Sequence, residues 1–427
     1  MKVYFESIGC RLNQSEIERM ATQLTGQGFL VVGDASQADL VVINTCAVTA
    51  AASSDSRQRI RQAITNSEAR IIVTGCFATM EPQHMFSNSD RVRFVPNRMK
   101  DRIAEEISQA STQDQTDAGA ITPRAILPGA RKRTRAFIKV QEGCDQTCTF
   151  CITRLARGKG RSQPMRDIHR DIEAAILGGA KEIVLTGTNL GSWGRDMQVP
   201  SSLADLVQGI LTAYPGIRVR LSSLEPWDID AALMELIGAP DFCRHLHLPI
   251  QSGCDAILEK MNRPMTSVAF EQLLFSIRSR TPEIAITTDI MVGFPGESDA
   301  HFQTSLSFIR QMGFAGGHVF RYSPRPWTPA KDYPGSVGNQ TSKTRSALMR
   351  ATIQRSSDQY HSQFTGKTAR VLWETCQETE TGKHLLRGLT DHYIKVEAVD
   401  GADRSNTISE TLLETWDSKR FRGTIIP

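Results

Sequence analysis

Short apolar, β-branched runs alternate with amphipathic helical segments along most of the chain, and this alternation restricts the possible folds more than any other feature. Between Arg135 and Tyr322 there are six such runs, at residues 136–140, 182–186, 217–221, 245–250, 285–292 and 317–320. Helical patterns lie between them, for example at residues 165–177 and 270–277. Strands that alternate with helices pair in parallel. The series predicts a partial (β/α)6 barrel with its functional residues at the carboxyl ends of the strands.

The two ends of the chain have different patterns. Before residue 107, apolar runs at residues 3–8, 40–43 and 70–73 are separated by amphipathic segments, which predicts an N-terminal parallel α/β sheet domain. Residues 108–120 are rich in Ser, Thr, Gln and Asp and are typical of a linker. From residue 366 onward, short β-rich runs between Gly and Asp turns predict a small antiparallel β-barrel.

These patterns divide the chain into four predicted segments. Residues 1–107 form the N-terminal domain, 108–130 the linker, 131–363 the central barrel domain and 364–427 the C-terminal β-barrel. A chain of 427 residues is long enough for two or three hydrophobic cores. The fold class is therefore α/β, with a small all-β domain at the C-terminus.

Composition excludes some classes of protein. No apolar run has the length of a membrane span or the flanks of a secretory signal, so we expect a soluble cytoplasmic protein without membrane association. The net charge of +4 permits an anionic partner but does not by itself argue for one. Six of the nine cysteines fall into two groups of three, and in a cytoplasmic chain metal ligands are a more common use of such cysteines than disulfides.

The first cysteine group is a C-x3-C-x2-C motif formed by Cys144, Cys148 and Cys151, directly after the first strand of the predicted barrel. Three thiolates can each bind one iron of a cubane cluster and leave the fourth iron without a protein ligand. An open iron can chelate S-adenosylmethionine beside a one-electron donor. A zinc site is the alternative, but zinc prefers four ligands and the nearest downstream histidine is His169. Three ordinary thiols remain the other alternative.

The second group consists of Cys10, Cys46 and Cys76, which are far apart in sequence but each follow an apolar strand run. Because the carboxyl ends of parallel strands lie on one edge of a sheet, we expect the three thiols to meet there. This predicts a second cluster with an open iron. The alternative is that each is a small buried residue at a strand end.

The cysteine motif and the order of the predicted domains each resemble those of a known group of proteins. The C-x3-C-x2-C motif, with Phe150 just before its last cysteine, resembles that of the radical S-adenosylmethionine superfamily. A sheet domain with three scattered cysteines, a radical barrel and a C-terminal β-domain together resemble the methylthiotransferase family over nearly the whole chain. The segments GCRLNQSE at 9–16, NTCAVT at 44–49 and SSLEPWDID at 222–230 are most similar to the MtaB branch. That branch acts on N6-threonylcarbamoyladenosine in tRNA.

The resemblance implies two 4Fe-4S clusters, S-adenosyl-L-methionine and a TRAM-like RNA-binding barrel at the C-terminus. The second cluster holds the sulfur that enters the product; one S-adenosylmethionine methylates that sulfur and another supplies the radical. The product is the 2-methylthio derivative of the modified adenosine at position 37. The hydrogen replaced lies on an sp2 carbon that is not usefully acidic, so general bases fail and a radical is needed. The implied partners are the tRNA anticodon stem-loop and a low-potential electron donor such as flavodoxin.

Several side chains are candidates for cofactor binding. Phe150 would contact the adenine by the superfamily resemblance, which also implies cofactor or substrate contacts for Gln251 and Asp289 near later strand ends. Glu225 follows the third barrel strand and could accept a hydrogen bond from a ribose hydroxyl, or be a solvated loop carboxylate. Gly187 and Asn189 suit a loop whose backbone approaches the cofactor, or an ordinary βα turn.

Basic residues flank the radical motif and recur in the last domain. Such runs are usually solvated surface, but they also suit contact with RNA phosphates. The candidate RNA-binding residues are Arg131, Lys132, Arg133, Arg157, Lys367, Arg370 and Lys383.

Three functions remain open at this stage. The first is the tRNA methylthiotransferase described above. The second is a methylthiotransferase with another substrate, namely isopentenyladenosine in tRNA or a ribosomal-protein side chain. The third is a non-enzymatic iron-sulfur protein that binds RNA.

Overall fold

A computed structural model describes residues 1–81, 86, 89–109, 122–124 and 134–426, which form two compact units. The first unit consists of Met1–Gln146, Cys151–Ala180 and Thr186–Thr188. The second holds Thr147–Phe150 and most of the chain from Lys181 onward. Most of the predicted linker lies outside the described residues. The four predicted segments and their boundaries stay predictions.

The first unit begins with a five-stranded parallel sheet in the order β2-β1-β3-β4-β5. Its elements are β1 (Lys2–Ser7), α1 (Arg11–Gly26), β2 (Leu30–Val31), β3 (Leu40–Thr45), α2 (Ala50–Asn66), β4 (Arg70–Gly75), α3 (Cys76–Met80), β5 (Val92–Pro96) and α4 (Ile103–Gln109). The parallel sheet confirms the predicted class of this region. The sequence patterns did not predict β2 and β5, which are short and partly exposed and therefore lack long apolar runs.

The central strand β3 shows why this sheet needs helices on both faces. All six of its residues are buried, as expected for a parallel strand covered on both sides. Val41 and Ile43 belong to a core with Ile60 of α2. Leu40 and Val42 alternate with them and belong to a second core, shared with α1 and α4.

The remaining elements of the first unit precede and follow the C-x3-C-x2-C segment in the sequence. They are β6 (Arg135–Lys139), β7 (Gln141–Glu142), α5 (Thr153–Arg157), β8 (Arg161–Ser162) and α6 (Met165–Leu177). β7 and β8 form a small antiparallel pair. The backbone N–H of Lys139 donates to Oγ of Ser15 at 3.0 Å, which places the end of β6 beside α1.

The second unit contains a series of parallel strands with helices between them, which confirms the predicted βα class. Its elements are β9 (Glu182–Thr186), α7 (Leu203–Ala213), β10 (Arg218–Leu221), α8 (Ala231–Leu236), β11 (His245–His247), α9 (Asp255–Lys260), α10 (Ser267–Arg280), β12 (Ala285–Val292), α11 (Asp299–Gln311) and β13 (Gly316–Arg321). β9 pairs with β10, and β12 pairs with both β11 and β13. Isolated bridges Val219↔Phe242 and Ser223↔His247 join the two groups. β11 is shorter than predicted; it stops before Pro249, which has no N–H to donate.

A 24-residue helix, α12 (Asn339–Ser362), precedes the C-terminal barrel. The barrel strands are β14 (Thr368–Glu378), β15 (His384–Thr390), β16 (Lys395–Asp400), β17 (Ile408–Trp416) and β18 (Phe421–Ile425), closed in the order β14-β15-β16-β18-β17. The closed barrel confirms the prediction. Four neighbouring pairs are antiparallel, whereas β16 and β18 pair in parallel, so the antiparallel expectation is wrong for that pair.

Two arginines of β10 hold the C-terminal barrel. Arg218 donates to the backbone carbonyls of Leu389 and Arg370, and Arg220 donates to those of Thr390 and Asp391. Because each guanidinium is buried, these hydrogen bonds are protected from water.

Long apolar helices are missing from the described part of the chain. In that part, no helix has both the length and the hydropathy that a membrane crossing requires.

Candidate metal centres

Cys10, Cys46 and Cys76 lie at the same edge of the N-terminal sheet. Each follows a strand, and the three strands are neighbours, because β3 pairs with both β1 and β4 in parallel register. Cys10 precedes α1 and is exposed, whereas Cys46 and Cys76 are buried. The sheet order therefore brings together residues that are 66 positions apart at most.

Gly9 allows the chain to pass directly against Cys46. It has a φ of 93°, which favours glycine, and a Cβ added there would lie 2.6 Å from the Cβ of Cys46 and 2.9 Å from its Sγ. Cys46 is itself held by Ser56, whose Oγ accepts from its N–H at 3.1 Å and donates to its carbonyl at 2.8 Å. Glycine at position 9 therefore lets the chain directly before Cys10 pass close to Cys46.

Two buried asparagines contact the other thiols. Oδ1 of Asn13 lies 3.7 Å from Sγ of Cys10. Nδ2 of Asn97 lies 3.7 Å from Sγ of Cys76 and donates to the carbonyl of Ala156 at 2.8 Å. Asn97 thus connects the Cys76 thiol to α5, the helix that follows Cys151. The sequence analysis did not select Asn97, since a single asparagine outside a motif carries no pattern.

A buried ionic network lies behind these asparagines. Nη1 of Arg157 lies 3.0 Å from Glu16 and 2.9 Å from Glu142, and Nη2 donates to Oδ1 of Asn13 at 2.6 Å. Nζ of Lys100 lies 2.6 Å from Glu16, and Nζ of Lys139 contacts Glu142 at 3.3 Å. The pKa of Glu16 would be raised by burial alone, but Arg157, Lys100 and Lys139 outweigh that effect and hold it well below its usual range.

Arg157, a candidate RNA-binding residue, is buried in the structure. Its side chain is only 3% exposed, and its guanidinium is engaged by Glu16, Glu142 and Asn13. Sequence spacing alone does not distinguish a buried arginine from a solvated one. A guanidinium held in this way is not available to a phosphate.

The three thiols have the chemistry that iron binding requires, but burial of Cys46 opposes the thiolate form that binds iron. Burial, together with the nearby thiols of Cys76 and Cys10, raises the pKa of Cys46 to about 11. Arg157 lowers it, because its positive charge favours the thiolate. Across the described ranges, no three His, Cys, Asp or Glu side chains are grouped closely enough to hold a metal ion. The thiols must therefore turn toward one another to hold a cluster, and the donor set fits one.

The C-x3-C-x2-C segment carries three half-buried cysteines, Cys144, Cys148 and Cys151. In the first unit, the N–H of Cys144 donates to the carbonyl of Gly158 at 3.1 Å. Gly143 has a φ of 76°, and a Cβ there would lie 1.9 Å from the carbonyl oxygen of Lys159. Only glycine lets the start of the segment approach the turn after α5.

In the second unit, the Cys148 thiol lies beside a buried arginine that the sequence analysis missed. Nη1 of Arg263 lies 3.9 Å from Sγ of Cys148 and donates to Glu225 at 3.1 Å. Nη2 donates to Glu225 at 2.7 Å and to the carbonyl of Pro249 at 2.6 Å. Burial lowers the pKa of Arg263, but Glu225 and Cys148 outweigh this and raise it. Arg263 lies in a loop without periodicity, so no pattern marked it.

The other cofactor candidates lie near strand ends. Phe150 packs partly buried against a core that includes Ile257 and Phe294. Asn189 is buried, and Gly187 is half-buried just after β9. The bond that joins Gln251 to Asp289 runs from the N–H of Gln251 to the carbonyl oxygen of Asp289, at 2.9 Å.

Asp289 and Gln251 have further constraints. Oδ1 of Asp289 lies 3.3 Å from Nε2 of His247. Gln251 has a φ of 72°, an uncommon conformation for a residue other than glycine. Their roles in cofactor binding stay predictions, as do those of Phe150, Gly187 and Asn189.

The candidate RNA-binding residues are dispersed. Arg131, Lys132 and Arg133 lie outside the described residues. Arg370 and Lys383 are exposed on the C-terminal barrel, and Lys367 is exposed but paired with Glu283 at 2.6 Å.

Comparison with protein families places the two cysteine groups in two different matched regions. Residues 2–96 match the uncharacterized protein family UPF0004, and residues 138–309 match the radical SAM superfamily. Cys10, Cys46 and Cys76 therefore lie in the first match, and Cys144, Cys148 and Cys151 in the second.

Curated relatives match over most of their length. The threonylcarbamoyladenosine tRNA methylthiotransferase MtaB of Thermotoga maritima is 36% identical over 93% of this chain and 91% of its own. The corresponding protein of Bacillus subtilis is 32% identical over 92% and 89%. A tRNA-2-methylthio-N(6)-dimethylallyladenosine synthase of Novosphingobium aromaticivorans is 35% identical over 89% and 87%.

Among solved structures, the radical S-adenosylmethionine methyltransferase TsrM from Kitasatospora setae, with tryptophan and a SAM analogue bound, has a similar fold. The TM-score is 0.56 at 16% identity, over 77% of this chain and 75% of that one. At this identity the similarity concerns the fold alone.

Proposed function

Because the chain belongs to the radical S-adenosylmethionine methylthiotransferase family, we propose that it replaces the C2 hydrogen of N6-threonylcarbamoyladenosine at position 37 of tRNA with a methylthio group. The observation that carries the proposal is the pair of cysteine triplets, one at the edge of the N-terminal sheet and one in the C-x3-C-x2-C segment. Relatives with the MtaB name support this substrate.

The two triplets divide the chemistry. Cys144, Cys148 and Cys151 would hold a 4Fe-4S cluster with an open iron, and Cys10, Cys46 and Cys76 would hold a second cluster. When bound, the first cluster and S-adenosylmethionine supply the carbon radical that removes the C2 hydrogen, and the second supplies the sulfur. All other contributions come from the chain itself.

Arg263 and Glu225 position the bound S-adenosylmethionine. Arg263 holds the carboxylate of Glu225 through two hydrogen bonds and lies against Cys148. The carboxylate is about a quarter exposed, so it can still accept a hydrogen bond from a ribose hydroxyl. Phe150, Gly187, Asn189, Gln251 and Asp289 form the remainder of the proposed cofactor site.

The C-terminal barrel, residues 364–427, would bind RNA as a TRAM-like domain. Exposed Arg370 and Lys383 suit contact with phosphates, and Lys367 would join them by releasing Glu283. The anticodon loop is the expected partner because its unpaired bases can be splayed out of their stack. Arg131, Lys132 and Arg133 remain candidates for the same partner.

The proposed chemistry also requires an electron donor. One-electron cleavage of S-adenosylmethionine needs a low-potential donor, such as flavodoxin.

We assign residues 1–107 to the sulfur-carrying domain, residues 108–130 to a linker and residues 131–363 to the radical domain. A tRNA-modifying enzyme of this kind would act in the cytoplasm.

A specific observation favours a second candidate substrate. The relative from Novosphingobium aromaticivorans, which is 35% identical, bears a name that specifies dimethylallyladenosine instead. The same cysteine triplets serve either base, so the clusters do not distinguish the two. The substrate branch must be tested by direct competition.

The experiment uses protein reconstituted anaerobically, with iron and sulfide counted. Reduced protein is incubated with S-adenosylmethionine and either of two anticodon stem-loops, one threonylcarbamoylated and one dimethylallylated. Mass spectrometry follows 5′-deoxyadenosine and each methylthio nucleoside. We expect about eight irons per chain and methylthio product from the threonylcarbamoylated RNA.

Two variants separate the clusters. Cys148→Ala should abolish 5′-deoxyadenosine, whereas Cys46→Ala should remove about four irons and the methylthio product but retain 5′-deoxyadenosine. Product from the dimethylallylated RNA alone would move the chain to the other branch. Modification of neither RNA, with 5′-deoxyadenosine still formed, would refute both tRNA functions and leave a protein substrate.

A further inference from the structure

Trp327 is an exposed aromatic residue on a strained backbone. Its side chain is 62% exposed, and its φ is 65°. The left-handed region disfavours bulky residues, because the Cβ crowds the following carbonyl. A large hydrophobic side chain that is both strained and exposed contributes little to a core, so its position calls for a functional reason.

The turn that carries Trp327 is rigid. Pro324, Pro326 and Pro329 surround it, and each proline fixes its own φ. The N–H of Thr328 donates to the carbonyl of Arg325 at 3.3 Å, and its Oγ1 donates to the same oxygen at 2.8 Å. The backbone that carries the indole is therefore held in one conformation, which lowers the entropy lost when a ligand binds to it.

The turn is also fixed to the radical motif within the second unit. The N–H of Ala330 donates to the carbonyl of Thr149 at 3.0 Å, and Thr149 lies between Cys148 and Phe150. Ala330 is fully buried in the same core against which Phe150 packs. Three residues span at most about 10 Å, so the backbone of Trp327 stays within that distance of this anchor.

Few large hydrophobic side chains close to Trp327 in the sequence are exposed. Across residues 321–335, all of which the structure describes, Trp327 is the single exposed large hydrophobic side chain; Phe320, seven positions before it, is 43% exposed, and Lys331, four positions after it, is an exposed cation. Docking of an apolar protein surface needs a contiguous patch. One exposed indole with a cation four positions away in the sequence instead suits a flat π-system attached to an anion, which describes an unpaired nucleotide.

We propose that Trp327 is a stacking platform for an unpaired base of the RNA substrate, next to the base that reacts. This inference rests on the proposed function, because it takes the substrate to be RNA. Each base offers a π-face, so the platform contributes affinity and orientation without selecting a sequence. Its position beside the Cys148–Phe150 segment keeps the flanking nucleotide near the site of radical formation.

The test measures affinity for a fluorescently labelled, threonylcarbamoylated anticodon stem-loop by anisotropy. Trp327→Ala should weaken binding by roughly 5- to 150-fold, the range for one base stack, and Trp327→Phe should weaken it less. Phe275→Ala is the matched control, because Phe275 is 73% exposed on α10 and its loss should leave affinity unchanged. Formation of 5′-deoxyadenosine without RNA should be the same in all variants.

Trp327→Gly separates binding from folding, since glycine accepts this φ without strain. We expect an unfolding temperature equal to or above that of the wild type, together with the weakened RNA binding. A fall in unfolding temperature with unchanged RNA affinity would overturn the inference and assign Trp327 to the fold.

Two other outcomes distinguish a failure of the stacking proposal from a failure of the proposed function. If the wild type binds and modifies the stem-loop but Trp327→Ala binds equally well, the stacking proposal fails and the proposed function stands. If the wild type binds no RNA but binds a ribosomal protein in a Trp327-dependent manner, both the RNA function and the stacking proposal are refuted.

Discussion

Nη2 of Arg157 lies 2.6 Å from Oδ1 of Asn13, and the same oxygen lies 3.7 Å from Sγ of Cys10. Arg157 ends α5, which begins two residues after Cys151. The helix that follows the radical motif is therefore bonded to the residues beside a thiol of the N-terminal triplet. The arrangement places a permanent positive charge next to thiols that must become anionic when they bind iron.

Arg157→Gln should therefore damage both stability and iron binding. It leaves Glu16 and Glu142 with one fewer cation in a buried setting, so we expect the free energy of unfolding to fall by about 3–5 kcal/mol. The loss of the charge beside Cys10 should also lower iron occupancy of the N-terminal triplet. Iron is best counted in the background of Cys148→Ala, where the first cluster is absent.

Arg220→Gln is the matched control for Arg157→Gln. Arg220 is also buried and paired, with Nε 2.7 Å from Glu182, so its loss should destabilise the chain to a similar extent. Iron occupancy of the N-terminal triplet should remain that of the wild type. Equal iron loss in the two variants would show that Arg157 acts only through stability.

Gly9→Ala should disturb Cys46. The added Cβ would lie 2.6 Å from the Cβ of Cys46, and the φ of 93° adds strain of roughly 1–2 kcal/mol. Gly28→Ala is the control, because Gly28 has a φ of 83° and open space around its Cβ position. We expect both variants to lose stability in thermal unfolding, but only Gly9→Ala to lose iron. Normal iron content in Gly9→Ala would show that the close approach is not needed for the cluster.

Arg263→Gln should impair the cleavage of S-adenosylmethionine. It removes the charge beside Cys148 and frees the carboxylate of Glu225. We expect 5′-deoxyadenosine formation to fall by at least about 10-fold, since losing one hydrogen-bonded charge costs over 1.4 kcal/mol. Arg263→Lys, which keeps the charge but not the two-pronged hydrogen bonding, should be intermediate. Wild-type formation of 5′-deoxyadenosine by Arg263→Gln would exclude this role.

His361 should make stability depend on pH. Its ring stacks on Trp416 at 4.0 Å, and burial lowers its pKa below 6.5, although Ser357 and Asp358 oppose the change. The unfolded chain therefore binds the proton more tightly, and the free energy of unfolding should decrease as the pH falls below about 6.5. Urea unfolding between about pH 5 and 7 should show a shallower pH dependence for His361→Gln. If the free energy of unfolding depends on pH equally in the wild type and in His361→Gln, then His361 does not cause this pH dependence.

Local patterns predicted the elements that position the site. The strand runs at 182–186 and 285–292 and the helix at 165–177 agree with the structure at both ends. The strand runs are mostly apolar and the helix is clearly amphipathic, so neighbouring structure does not override these patterns. β5 was missed because Arg93 interrupts its apolar run at the sheet edge.

The sequence by itself determined the parallel sheet, the βα series, the closed C-terminal barrel and the positions of both cysteine triplets. Each depends on periodicity or spacing within a few residues or, for Cys10, Cys46 and Cys76, on the position of each cysteine directly after a strand run. Only the tertiary structure decided that Arg157 is buried against Glu16, 141 positions away, and that Arg263 lies against Cys148, 115 positions away. A charged side chain follows the same local rules whether it is solvated or buried, and its state is decided by the distant groups that replace its water.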